Sequence, residues 1–361
     1  MHSMGELQLS VPAPPPPAPA PGPGTLIRER LVQIRERLAR VDRRKLLERL
    51  APAIALFLGI LSQTYSKHTI AFAPKAVALL VVAWALAAVL GEWLPEPRPD
   101  ETHPRWRTFL RKAAATVTVG MFRNVLFFLV PIWFASSTLG SINMLAPLLL
   151  AALALYSCFP NRFRRRMLEH PRVRTLYCSS VLFVALVPAT AVETSASPRV
   201  SAALAAGVAW LASSLATSRT PLTTRIGRIE LGAGALVVAL IFALAAPLLP
   251  PVPVACTASA TGTGIRDREI EGASDIFPAG TDRVYAWFAV HVPRRYRQGV
   301  RFEWYRDGDP AGNVGGRAIV GGREQGYRTS SFTSAPRSGS WRVDLVTDAS
   351  QLIARKRFIV E

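Results

Sequence analysis

About seven apolar stretches fill the middle of the chain, each near the ~20 residues a helix needs to cross roughly 30 Å of hydrocarbon. They fall at Leu47–Tyr65, Pro74–Leu94, Ala113–Ser136, Ser141–Phe159, Tyr177–Val192, Val200–Ala216 and Leu231–Val252. Inside lipid, single-segment backbone can satisfy its own polar groups only as helix. Residues 50–252 are therefore expected to form a transmembrane helical bundle. The first stretch is purely apolar only from Leu50 to Leu61, and the fifth and sixth are short and rich in Ala and Ser.

The basic residues fall on alternate connections. Arg28 to Arg49 precede the first stretch, Arg98 to Lys112 separate the second and third, Arg162 to Arg174 the fourth and fifth, and Arg219 to Arg228 the sixth and seventh. The intervening connections carry only Lys67, Lys75 and Arg199. Basic loops are retained in the cytoplasm, which predicts a cytoplasmic N-terminus and a C-terminal region on the other side. The same placement accounts for the net charge of +19. A nucleic-acid protein gathers its cations on one soluble face with aromatics or a known motif. Here they flank apolar stretches, where Arg35, Arg43, Arg44, Arg164, Arg165 and Arg166 are candidate contacts for anionic inner-leaflet lipid. The lipid bilayer is the expected partner, and nucleic acid is not.

Residues 1–24 include the tract VPAPPPPAPAPGPG, which supports neither helix nor core and predicts an extended leader. Residues 25–49 read as a basic amphipathic helix, with Ile27, Leu31, Ile34, Leu38 and Val41 on one stripe. Such a helix lies on the inner leaflet; the alternative, a short dimerisation helix, makes the protein a homo-oligomer. The first apolar run begins too late and lacks a small-residue cleavage site, so no cleavable signal peptide is expected.

Ionisable and amide side chains at membrane depth are functional candidates, and Arg123 with Asn124 are the strongest. The competing reading starts the span near Met121 and lets Arg123 snorkel to the inner interface. Glu193 ends the fifth stretch on the other side and is expected as an interface residue rather than a partner for Arg123. No lysine lies in the seventh stretch to carry a Schiff base, and no H-E-x-x-H or G-x-S-x-G motif occurs. The histidines are scattered, and Cys158, Cys178 and Cys256 fall on both sides of the expected membrane, so neither a metal site, a cofactor nor a disulfide is expected.

From residue 253 to 361 the pattern changes to short alternating strands and Gly/Asp turns. Val284, Ala286, Phe288, Val290 and Val292 alternate with Tyr285, Trp287, Ala289 and His291. Similar runs follow at Val300–Tyr305, Arg317–Val320, Tyr327–Thr333, Ser340–Val346 and Leu352–Val360, with a further strand around Ala255–Thr263. Asp307-Gly308, Gly321-Gly322 and Ser338-Gly339 mark turns. The expectation is an immunoglobulin-like β-sandwich with Trp287, Phe302, Trp304, Trp341 and Phe358 in its core. The acidic cluster Asp267, Glu269, Glu271 and Asp275 matches no calcium loop. Arg294, Arg295 and Arg297 read as a charged hairpin tip.

The segment from Asp267-Arg268-Glu269 to the chain end resembles the bacterial family called domain of unknown function 2914. The matching pieces are that opening triplet, Phe302-Glu303-Trp304-Tyr305-Arg306-Asp307-Gly308, Tyr327-Arg328-Thr329-Ser330-Ser331, Gly339-Ser340-Trp341-Arg342-Val343-Asp344-Leu345 and Phe358-Ile359-Val360. Two positions depart from the family pattern: Glu303 stands for a histidine, and Ser350 for the glycine of the last hairpin. The apolar half is similar to the multi-span region that accompanies this domain in some bacterial proteins. The resemblance supports the sandwich and carries no activity over. With the apolar stretches and the alternating basic connections, the expectation is a multi-pass protein of the bacterial inner membrane with its β domain on the extracytoplasmic side. The expectation is a non-enzymatic protein displaying a β-sandwich that binds an envelope protein or cell-wall component, with a transporter or channel as the alternative.

Overall fold

The computed structural model describes residues 53, 54, 56, 57, 121–159, 163, 170–194, 196–217, 223–323 and 326–361. The chain divides into Met1–Arg49 and Leu50–Glu361, and all described residues belong to the second unit. The expected leader, the basic helix with Arg35, Arg43 and Arg44, the second span, and Arg164, Arg165 and Arg166 lie outside the described residues.

The described helices are α1 (Met121–Ala135), α2 (Leu145–Ser157, entered through a 3₁₀ turn at Ile142–Met144), α3 (Pro171–Thr194), α4 (Pro198–Thr217) and α5 (Arg225–Ala245, followed by a 3₁₀ turn at Ala246–Leu248). Where seven spans were expected, three helical segments among the described residues are long and apolar enough to cross a membrane: Arg172–Glu193, Pro198–Ala216 and Arg225–Leu248. The third and fourth expected spans correspond to the shorter apolar helices α1 and α2. The last span starts before the expected Leu231 because Thr224 caps it, its hydroxyl oxygen accepting the Gly227 N–H at 3.0 Å. The helix stops short of Val252 because Pro250, Pro251 and Pro253 cannot extend it.

Small residues let these helices approach closely. Ala202, Ala205, Ala206, Ala209 and Ser213 form a fully buried stripe along α4. Trp210 lies over Gly234 of α5 so closely that an added Cβ would sit 2.8 Å from its Nε1. Inside α3, Pro188 lacks the N–H that would bond the Val184 carbonyl. The buried Trp133 indole of α1 supplies that donor instead, at 3.2 Å. The outer face of α5 leaves Ile226, Ile229, Leu236, Val237, Leu240, Ile241 and Leu244 exposed.

The β region runs β1 (Ala255–Gly262), β2 (Gly264–Arg266), β3 (Glu269–Glu271), β4 (Ile276–Phe277), β5 (Arg283–His291), β6 (Arg297–Arg306), β7 (Asp309–Val320), β8 (Tyr327–Ser334), β9 (Gly339–Thr347) and β10 (Leu352–Val360). They make a three-stranded sheet ordered β1-β5-β8, a five-stranded sheet ordered β4-β10-β9-β6-β7 and the β2-β3 hairpin. Every expected strand is present. β7 starts earlier than expected because Asp307 and Gly308, at φ of 51° and 99°, close a two-residue hairpin that pairs Arg306 with Asp309.

The two larger sheets enclose one core: Val284, Ala286, Phe288 and Val290 from β5 meet Phe302 and Trp304 of β6, Trp341, Val343 and Leu345 of β9, and Phe358 of β10. Trp341 stacks on Phe358 at 5.9 Å, and Trp304 meets both edge-on. Trp287 lies elsewhere. Its strand parity points it away from that core, and it is buried beneath the β2-β3 hairpin, donating from Nε1 to the Arg268 carbonyl at 2.8 Å.

Candidate functional site

The helices and the β region are joined through the hairpin between β9 and β10. The ladder register breaks between Leu352 and Ala354, and a break of this kind turns carbonyls out of the ladder. Two of them meet the α1-α2 connection: Asn143 Nδ2 donates to Leu352 O at 3.0 Å, and Thr138 Oγ1 donates to Ile353 O at 3.2 Å. Asn143 is almost wholly buried, and its Oδ1 in turn accepts the Thr138 N–H at 3.1 Å. From the hairpin tip, Gln351 Nε2 donates to Ala246 O at the end of α5, at 3.0 Å. Apolar packing continues across the joint, since Ala191 and Val192 of α3 belong to the β core cluster.

Arg301 of β6 fixes that hairpin from the other side. Its Nε donates to Glu303 at 2.9 Å, one terminal nitrogen to Ser350 Oγ at 2.9 Å, and the other to the Thr347 and Asp348 carbonyls at 3.3 and 3.4 Å. Glu303 and Ser350, the two positions departing from the family pattern, are thus the two side chains this arginine holds. Ser350 sits at φ 64°, the left-handed region that favours glycine, and its hydroxyl gives Arg301 an acceptor that glycine would lack.

Cross-strand pairing arranges the outer face of the five-stranded sheet in rows. Glu303, Asp344 and Arg355 form one row, and Tyr305, Arg342 and Arg357 the next. Asp344, almost fully buried, takes a bidentate pair of bonds from Arg355 at 2.7 and 2.8 Å, with Arg342 Nε further off at 3.5 Å. The Arg355 bond raises the guanidinium further above its ordinary value. The Tyr305 hydroxyl donates to Glu303 at 2.9 Å; burial and that bond raise the phenol, keeping it protonated. Arg342 lies over the Tyr305 ring at 4.0 Å.

Beyond that row a cleft of about 380 Å³ opens between the Asp307-Gly308 turn, Ser340, Arg342 and Arg357. It sits at the opposite end of β9 from the joint, roughly 20 Å away by strand length.

The expected intramembrane pair lies at the other end of the helices. Arg123 is half-buried and within electrostatic reach of Cys158, the cap of α2, and of Tyr177 near the start of α3. Phe122 and Phe163 each pack edge to face against Tyr177. The Asn124 Oδ1 is buried without a hydrogen-bond partner among the described residues. The structure does not bring Arg123 to Glu193: about 24 Å of helix separates Glu193 from Tyr177.

The acidic cluster disperses into ion pairs, Glu269 with Arg328 at 2.7 Å, Glu271 with Arg266 at 3.7 Å and Asp275 with Lys356 at 2.8 Å. Among the described residues no three His, Cys, Asp or Glu side chains gather as metal ligands. All three cysteines are free thiols, and burial pushes Cys256 up to about 11.

These features define a chain of long apolar helices carrying a two-sheet β domain on the end of the bundle. Residues 297–360 match the family described as "Protein of unknown function (DUF2914)", so the chain carries that domain at its C-terminus. The matched segment begins at β6 and ends at the last residue of β10, and contains both the joint hairpin and the cleft. No curated protein and no solved structure matches the chain. Of the site, Trp304, Trp341 and the turn at Asp307 were readable from strand period and turn chemistry. Thr138, Asn143 and Gln351 carried no signal, being ordinary polar residues in unremarkable loops.

Proposed function

We propose that the protein is an integral membrane protein of the bacterial inner membrane, and that its β domain, an immunoglobulin-like sandwich, is a non-enzymatic recognition module fixed on the extracytoplasmic end of the bundle. The observation that carries this reading is the joint. A module on a slack linker would leave Asn143 and Gln351 in water, whereas here both are buried and bonded across the boundary. The exposed aliphatic face of α5 suits acyl chains, and the alternation of basic connections supports a cytoplasmic N-terminus. The ligand is an envelope protein or a cell-wall component. The alternative, a transporter or channel, would need Arg123 and Asn124 to line a pathway, but the place of Arg123 near the end of α2 and the start of α3 suits a side chain snorkelling to the inner interface instead.

Accessibility tests the orientation. With Cys158, Cys178 and Cys256 replaced by alanine, Arg337→Cys in the exposed β8-β9 turn is expected to react with a membrane-impermeant maleimide in cells whose cytoplasmic membrane is intact. Protection of that cysteine until the membrane is permeabilised would place the β domain in the cytoplasm and overturn the reading.

A further inference from the structure

We infer that the cleft at the far end of β9 is an oxyanion site, taking a phosphate or carboxylate group of a ligand outside the bilayer through Arg342 and Arg357. The inference deepens the proposed recognition role and rests on it.

The charges on the outer face lead to this assignment. Arg301 is committed to Glu303 and the hairpin, and Arg355 to Asp344. Those pairs use both carboxylates of the row. Arg342 keeps only the 3.5 Å approach to Asp344, and Arg357 makes no side-chain hydrogen bond or ion pair among the described residues. The two arginines are direct cross-strand partners. Like charges placed opposite each other destabilise a sheet unless something neutralises them. Both line the same cleft, whose volume of about 380 Å³ exceeds what a phosphate or carboxylate fills.

Arg342 is also held in advance. The Tyr305 ring lies under it at 4.0 Å, and Tyr305 is fixed in turn by Glu303. A guanidinium so placed presents its remaining donors with little entropy left to lose, and its planar fork suits oxyanions. The one carboxylate on the rim, Asp307, is turned to the backbone: its Oδ1 accepts the Ser340 N–H at 2.8 Å, and its Oδ2 lies 3.8 Å from Arg306. With Arg342 and Arg357 set against this single carboxylate, the lining of the cleft stays net positive. Its distance from the joint, roughly 20 Å along β9, favours a ligand other than the headgroups of the protein's own bilayer.

The test is isothermal titration calorimetry of the full-length protein in nanodiscs of neutral phosphatidylcholine at low ionic strength, with pyrophosphate and citrate as probes. Saturable binding of at least one probe is expected, and the two titrations distinguish a phosphate from a carboxylate preference. Arg342→Gln and Arg357→Gln are each expected to weaken it about ten-fold or more, as for loss of a charge-assisted bond, while Arg295→Gln leaves it unchanged. Arg357 is exposed, so its substitution tests the site without threatening the fold. No saturable binding, or binding indifferent to both substitutions, overturns the inference. Binding abolished when the nanodiscs contain phosphatidylglycerol overturns the choice of an extramembrane ligand. The maleimide result is independent of these titrations, so the orientation can fail while the cleft still binds.

Discussion

Pro188 and Trp133 illustrate how a single buried carbonyl can tie two helices together. The proline leaves Val184 O without its helical donor, and the indole of another helix takes its place. Trp133→Phe keeps most of the volume and removes the donor, stranding a buried acceptor at an expected cost of about 1–3 kcal/mol. With Pro188→Ala the backbone N–H returns, and the same Trp133→Phe change is expected to cost markedly less. Unfolding of the four proteins in detergent gives the coupling directly; equal costs in both backgrounds would mean the indole bond contributes nothing. Trp287 is the residue where composition misleads: a large aromatic in a strand reads as core, but the alternation of β5 commits Ala286 and Phe288 to the interior and puts Trp287 on the other face.

Arg301 secures the β9-β10 hairpin, and the hairpin forms the joint. Replacing Arg301 with methionine preserves the aliphatic stem but removes its bonds to Glu303, Ser350 and the Thr347 and Asp348 carbonyls. Amide exchange at Thr347, Ser350 and Gln351, whose N–H groups are bonded within the hairpin, is expected to accelerate at least several-fold, while exchange in the middle of β5 stays unchanged. Uniform exchange across both would mean Arg301 acts on global stability alone. At the opposite edge, short β4 pairs in parallel with β10 at Ile276 and Phe277, and Lys356 clamps it through Asp275. The Lys356 hydrogen bond holds the Asp275 carboxyl below its ordinary value. Its contribution is therefore complete above the ordinary aspartate range, about 4, and is lost as pH falls through the lowered folded value. The Ile359 N–H, bonded to Asp275 O at 2.8 Å, should lose protection in that acidic window, and Lys356→Gln should remove the pH step. The longer strands were legible because period-two alternation survives in half-buried sheets. β2, β3 and β4, two or three residues each, are too short to show a period.

Across the whole molecule, hydropathy and turn chemistry are local quantities and locate helices and strands well. They do not reveal that the β domain is seated on the bundle, because the joint pairs residues as distant as Thr138 with Ile353 and Ala246 with Gln351. A modular reading, with bundle and sandwich as separate domains, follows naturally from the composition shift near residue 253. The described helices and the β region instead fall in one compact unit, with contacts across the joint. The most direct test of a seated domain is a distance distribution. Spin labels on Leu149→Cys of α2 and Arg337→Cys of the β8-β9 turn, in a chain with its native cysteines replaced by alanine and held in nanodiscs, can be read by pulsed dipolar spectroscopy. A single narrow distance is expected, broadening when Asn143→Ala and Gln351→Ala are combined. A broad distribution in the protein with the joint intact would contradict the account, because it would mean the domain swings free of the helices.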